Sequence, residues 1–158
     1  MTAPIVIFDL AGNEMGLVAM EGDRANRKTN GGRQSRFYSH IDMKPSTRDI
    51  EGRLREGKPV FSATFNLRVK QYDEDFHSLN DRIDEIAKDS PGYLGKEYWA
   101  NDTENTESVI YYWESLETLK EFSNHPDHQE AKRNYQRWYS GYEIIVSRVL
   151  SHRSDGGL

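Results

Sequence analysis

The chain contains no cysteine in its 158 residues. Disulfides and thiolate metal sites are therefore excluded. No apolar run approaches the ~20 residues needed to span a bilayer. The N-terminus lacks the basic segment, apolar segment and small-residue cleavage site of a secretion signal. A soluble cytoplasmic protein with no membrane association is expected. A net charge of -5 argues against general nucleic-acid binding. There is no Gly-rich phosphate loop, nucleotide fingerprint or hydrolase elbow, so flavin and nicotinamide have no visible support. Hydrophobic residues make up only 35% of the chain against 30% charged, so any core must be small.

Aromatic residues, at 11%, partly compensate, because each buried ring removes much apolar area from water. The length suits one domain with an appendage. Charge divides the chain near Lys58-Pro59. Residues 24–58 hold ten Lys/Arg against four Asp/Glu, and residues 59–158 hold eleven against eighteen. Opposite signs suggest that the basic segment lies on an acidic domain, its own or a partner's; a solvated arm is the competing reading. Three parts are expected: an extension over 1–58, a domain over 59–150 and a tail over 151–158.

Within the extension, Ile5 to Phe8 and Gly16 to Met20 suggest a hairpin around Ala11-Gly12-Asn13-Glu14. Arg24 to Gln34 reads as a loop, and Ser46-Thr47-Arg48-Asp49 as the cap of a short helix to Arg55. Val60 to Val69 alternates, with Phe61, Ala63, Phe65, Leu67 and Val69 opposing Ser62, Thr64, Asn66 and Arg68, as in a half-buried strand. Tyr72 to Lys88 has helical spacing, stopped by Asp89-Ser90-Pro91-Gly92. Strands are expected over Tyr93–Ala100, Ser108–Trp113 and Tyr142–Leu150, with Asn101 to Glu107 as a polar turn. Short helices are expected over Glu117–Phe122 and from Pro126 to about Tyr139.

This β-α-β-β-α-α-β order describes an α+β, ferredoxin-like sandwich with an antiparallel sheet. Large apolar residues stand at both parities of the strands: Val109, Tyr111 and Trp113 oppose Ile110 and Tyr112. The sheet face away from the helices therefore needs cover, and a sheet-on-sheet homodimer would supply it.

Certain residues carry a family likeness: Pro91-Gly92-Tyr93, Tyr112-Trp113-Glu114-Ser115-Leu116-Glu117, His125-Pro126-Asp127-His128-Gln129-Glu130-Ala131, Trp138-Tyr139 and Tyr142 to Val149. Over about residues 59–150 the chain resembles the antibiotic biosynthesis monooxygenase (ABM) family of dimeric α+β barrel proteins. That likeness implies a pocket between sheet and helices, with Asn66 pointing into it as a donor to a developing oxyanion. A solvent-facing asparagine is the alternative. Arg68 shares its face and would offset substrate charge, or simply be a surface arginine. From helical spacing, His128 shares the inward face with Ala131, Tyr135, Trp138 and Tyr139. It is a candidate base, or else a core histidine bonded to a carbonyl. Tyr112, Trp113, Phe122, Tyr135 and Trp138 would wall an aromatic substrate or fill the core.

No third ligand accompanies His125 and His128, so no metal site is expected. The heme-degrading branch of the family carries a Trp where Phe122 stands and a heme-ligating His where Lys132 stands. That leaves heme as the alternative cofactor, with His128 as the substitute ligand. The leading expectation is a cofactor-independent monooxygenase that combines O2 with a flat phenolic or polyketide-like compound. A non-catalytic dimeric domain that binds a small ligand or a protein, with 24–58 as a basic arm, is the reading from a different class.

Overall fold

The computed structural model of the chain describes residues 38–39 and 47–155. The expected N-terminal hairpin and the loop at 24–34 lie outside these residues. The order is β1 (Tyr38–Ser39), α1 (Thr47–Arg55), β2 (Phe61–Val69), α2 (Glu74–Asp89), β3 (Tyr93–Asn101), β4 (Thr106–Trp113), α3 (Leu116–Ser123), α4 (Pro126–Trp138) and β5 (Tyr139–Arg148). The strands form one antiparallel sheet in the order β1-β3-β4-β2-β5. The expected α+β, ferredoxin-like sandwich is what forms, and β1 adds a short fifth strand beside β3.

Local chemistry explains the boundaries. Asp73 caps α2 by accepting the Phe76 N–H at 2.9 Å, and Glu74 and Asp75 favour the positive end of the helix dipole. Ser115 caps α3. His125 accepts the Asp127 N–H at 3.3 Å, and Pro126 occupies the first turn of α4, where its missing N–H costs nothing. Gly92 has φ +77, and a Cβ there would sit 3.2 Å from Thr118 Oγ1 and 3.3 Å from Glu114 Cβ. Only glycine suits both the conformation and the approach.

Two boundaries differ from expectation. The turn between β3 and β4 is shorter, because Asn105 adopts φ 52 and lets the strand resume at Thr106. Asn101 Oδ1 accepts the Thr103 and Glu104 N–H groups at 3.1 and 3.3 Å, which holds the turn tight. Gly141 does not interrupt the last helix; it lies inside β5, which starts three residues earlier than expected.

The core lies between sheet and helices. Ala63, Phe65 and Leu67 of β2, and Val109, Tyr111 and Trp113 of β4, pack with Phe76, Leu79, Ile83, Leu119, Phe122, Ala131 and Trp138. At one end, Asp73 ties α2 to α4, accepting Trp138 Nε1 at 3.0 Å and the Arg137 guanidinium at 2.8 Å. Helix α1 docks by burying Ile50 and pairing Arg53 with Glu114.

A charged pair sits under α2. Lys96 Nζ lies 2.5 Å from Asp84 Oδ2, with both side chains largely buried, and the Tyr111 hydroxyl donates to Asp84 Oδ1 at 3.3 Å. Burial raises the Asp84 pKa, and Lys96 opposes the rise. Removing one partner leaves the other charge buried. Asp84→Ala should therefore lose ~3–5 kcal/mol in chemical denaturation, whereas the paired change Asp84→Leu with Lys96→Met should lose much less.

Candidate functional site

The two-residue period of a strand separates the expected catalytic pair. Ala63, Phe65 and Leu67 point to the helices, so Asn66 points to the opposite face. There its Nδ2 donates to Glu143 at 3.1 Å, and Ser108 Oγ donates to its Oδ1 at 2.7 Å. Asn66 is therefore not in a pocket between sheet and helices, and at this level Phe65 takes the helix side.

His128 is on the helix side but fully buried. Its ring stands perpendicular to Phe122 with centroids 4.4 Å apart. Burial, reinforced by the positive charge of Lys132, pulls its pKa down to about 3, and the Phe122 backbone gives only a partial offset. Neither ring nitrogen has a well-formed hydrogen bond among the described residues. A base sealed in this way cannot touch a substrate. The alternative of a core histidine describes it: the ring is buried, and its backbone interaction is with Phe122.

The other expected site residues also divide. Trp113, Phe122 and Trp138 are buried in the core and wall no opening. Arg68 is exposed on the outer face and donates to the Glu104 carbonyl at 3.1 Å. Tyr112 shares that face, where burial and the neighbouring Glu97 push its pKa up to about 12. Tyr135 lies towards the β5 edge, its ring 5.2 Å from that of Tyr142. The eight residues do not converge on one pocket.

Heme ligation fares no better. His128 is sealed, and the Lys132 ammonium is engaged by the Ser123 carbonyl at 3.2 Å. The residues singled out for heme do not fit it. Among the described residues, no group of three or more His, Asp or Glu could hold a metal ion.

Two concavities meet at the β3–β4 hairpin. An outer groove of about 410 Å³ contains Asn66, Arg68, Trp99, Ser108 and Glu143. Its central polar groups are already bonded to one another. A second pocket, of about 250 Å³, lies on the helix side between Val69, Tyr72, His77, Tyr98, Asn105 and Glu107.

Glu107 is the group the sequence reading missed. The Tyr72 hydroxyl donates to its Oε2 at 2.7 Å, and Tyr98 bonds it as well. Burial raises the Glu107 pKa, the two phenols lower it, and the negative charge of Asp102 adds a further rise. Both tyrosines are shifted well above the ordinary phenol value, chiefly by burial, and stay neutral donors. The Tyr72 ring is stacked on Phe76, with centroids 3.8 Å apart. The hairpin rim is pinned where the Val69 N–H donates to the Asn105 carbonyl at 2.8 Å. A desolvated carboxylate in a preformed pocket, with its donors held in place, can accept a proton from a bound ligand.

Comparison with known proteins supplies the family. Residues 61–146 match the model of the family described as monooxygenase af470-like. The chain belongs to that family. The match agrees with the monooxygenase resemblance read from the sequence. The chain is also similar to the uncharacterized protein YqjZ of Bacillus subtilis, with 26% identity over 96 residues, 60% of this chain and 83% of that one. Among solved structures, FN1347 of Fusobacterium nucleatum, a candidate monooxygenase, aligns with a TM-score of 0.53 and 16% identity, covering 64% of this chain and 48% of that one. Protein SO0527 of Shewanella oneidensis aligns with a TM-score of 0.50 and 7% identity, covering 58% and 92%. Likeness at these identities establishes the shared fold of this monooxygenase af470-like member.

His128 generates a stability prediction. Its folded pKa lies below the unfolded value of 6.5, so the unfolded chain binds the extra proton. Its contribution is complete above pH 6.5 and is lost as pH falls towards 3. The slope from one such group is at most ~1.4 kcal/mol per pH unit. Denaturant midpoints measured across this range should fall less steeply in His128→Leu than in the native chain.

Proposed function

We propose that the chain is a cofactor-independent monooxygenase acting on a flat phenolic or enolic small molecule in the Glu107 pocket. Residues 59–150 form the catalytic unit, and 1–58 are an extension to it. The observation that carries this reading is the desolvated Glu107 carboxylate, held by Tyr72 and Tyr98 in a cavity of about 250 Å³. The family match supports the monooxygenase class.

Glu107 takes a proton from an acidic conjugated C–H or O–H of the substrate. The resulting anion is electron-rich enough to reduce O2 without a bound redox group. For a conjugated CH2, one oxygen atom forms the new C=O bond. The other leaves as water with the two hydrogens the carbon gives up. The four electrons lost by carbon reduce O2, so the reaction balances with no further reductant. Tyr72, Tyr98 and the apolar wall at Val69 orient the ring and exclude water.

Oxygen uptake with anthrone and hydroquinone substrates tests the reading. Glu107→Gln should lower kcat by ~10²–10⁴-fold, while Asn66→Ala leaves it unchanged. The native rate should rise with pH as Glu107 ionises, with a midpoint above the ordinary glutamate value of 4.5. Full activity in Glu107→Gln would sink this assignment.

A homodimer formed over the outer sheet face belongs to the same proposal. Ile110 and Tyr112 are half-buried there beside Trp99, and Ile145 is exposed. Sedimentation velocity should give about twice the chain mass of 18.3 kDa. Ile110→Glu, which places a charge at the centre of that face, should shift the population to monomer.

A further inference from the structure

We propose that the Glu107 pocket selects its ligand by charge: it takes uncharged hydroxyaromatic compounds and rejects anionic aromatics of the same shape, such as aryl carboxylates. This rests on the reading of that pocket as the substrate site.

The hydrogen-bond inventory of the lining carries the inference. Each phenol has one proton to donate. Tyr72 and Tyr98 both direct theirs at Glu107. What they can offer a ligand is therefore oxygen lone pairs, which accept and do not donate. Asn101 Oδ1 is engaged by the Thr103 and Glu104 N–H groups. The amide groups of Asn101 and Asn105 and the Thr106 hydroxyl are further side-chain donors in the lining, and none of them carries a charge. The lining carries two carboxylates, Glu107 and Asp102, and among the described residues its one basic group is His77 at the exposed rim.

Cations nearby in the chain point elsewhere. Arg68 donates to the Glu104 carbonyl at 3.1 Å, and Lys70 donates to the Gln136 carbonyl at 2.8 Å. Neither lines the pocket. A ligand carboxylate would thus meet a like charge at short range in a partly desolvated space, with no Lys or Arg of the described residues lining it to offset that charge. A neutral phenol meets acceptors for its O–H and aromatic walls for its ring. The role expected for Arg68, offsetting negative charge on a substrate, is replaced here by the opposite selection.

The test compares 2-naphthol with 2-naphthoate, binding to the full chain under argon, by calorimetry at mildly alkaline pH. Naphthol should bind more tightly by on the order of tenfold or more. Glu107→Gln should narrow the ratio by strengthening naphthoate. Asp102→Asn, at the exposed rim, should do so by a smaller factor and needs no change in the buried layer. Equal or reversed affinities in the native chain would overturn the charge selection while leaving the pocket as a binding site. A ratio unmoved by both variants would also overturn it. If neither compound binds at millimolar concentration, the pocket itself is misread and both proposals fall.

Discussion

Strand β2 runs through the middle of the sheet, paired with β4 on one side and β5 on the other. Its backbone period assigns every side chain to one of two faces, and a slip of one residue would exchange them. Phe65 and Leu67 are the residues that must be dry, so they set the phase. Asn66 and Arg68 then have no choice but the outer face. The pairing passes the same phase to β4. Val109, Tyr111 and Trp113 fall on the helix side, and one step earlier so does Glu107. The carboxylate is carried into a buried layer by the same alternation that builds the core.

Three polar systems share that layer, and their compensation differs. Asp84 has an opposite charge at 2.5 Å, which makes it a structural pair with little left to offer a ligand. His128 has only the Phe122 backbone to offset its burial and stays neutral, so it is inert in the folded state. Glu107 lies between these limits. It is held by neutral donors, its desolvation is incompletely offset, and its pocket opens past His77 and the hairpin. A group that is perturbed and reachable can do chemistry. A group that is perturbed and sealed only alters the dependence of stability on pH.

The architecture was legible in the sequence because it depends on repeated signals. Alternation in 60–69, helical spacing in 72–88 and the Pro-Gly and His-Pro punctuation recur over many residues, and one misjudged residue does not change the result. The site was not legible, for two reasons. Glu107 falls in the polar run Asn101 to Glu107, which reads as a turn until Asn105 is known to adopt the left-handed conformation. Tyr72, Tyr98 and Glu107 come from three separate elements, and no local spacing links them. One signal was available: extending the Val109, Tyr111, Trp113 alternation back by a single step places Glu107 on the core face. Asn66 was misassigned for the converse reason. The resemblance implied a pocket role, while the residue's own neighbours in the alternation already put it on the far side.

The two tyrosines have opposed effects on Glu107, and the opposition suits them to a base. Burial alone makes a carboxylate more basic, but also leaves it protonated and unable to accept a proton near neutral pH. Two donated hydrogen bonds favour the ionised form and restore its availability. Because the donors are neutral and themselves kept from ionising by burial, they do this without adding a formal positive charge, and a cation would depress the base much further. Lys96 beside Asp84 is that stronger arrangement, one strand away in the same layer. The contrast between phenol-supported Glu107 and ammonium-paired Asp84 separates a poised group from a structural one, although both are carboxylates raised by burial.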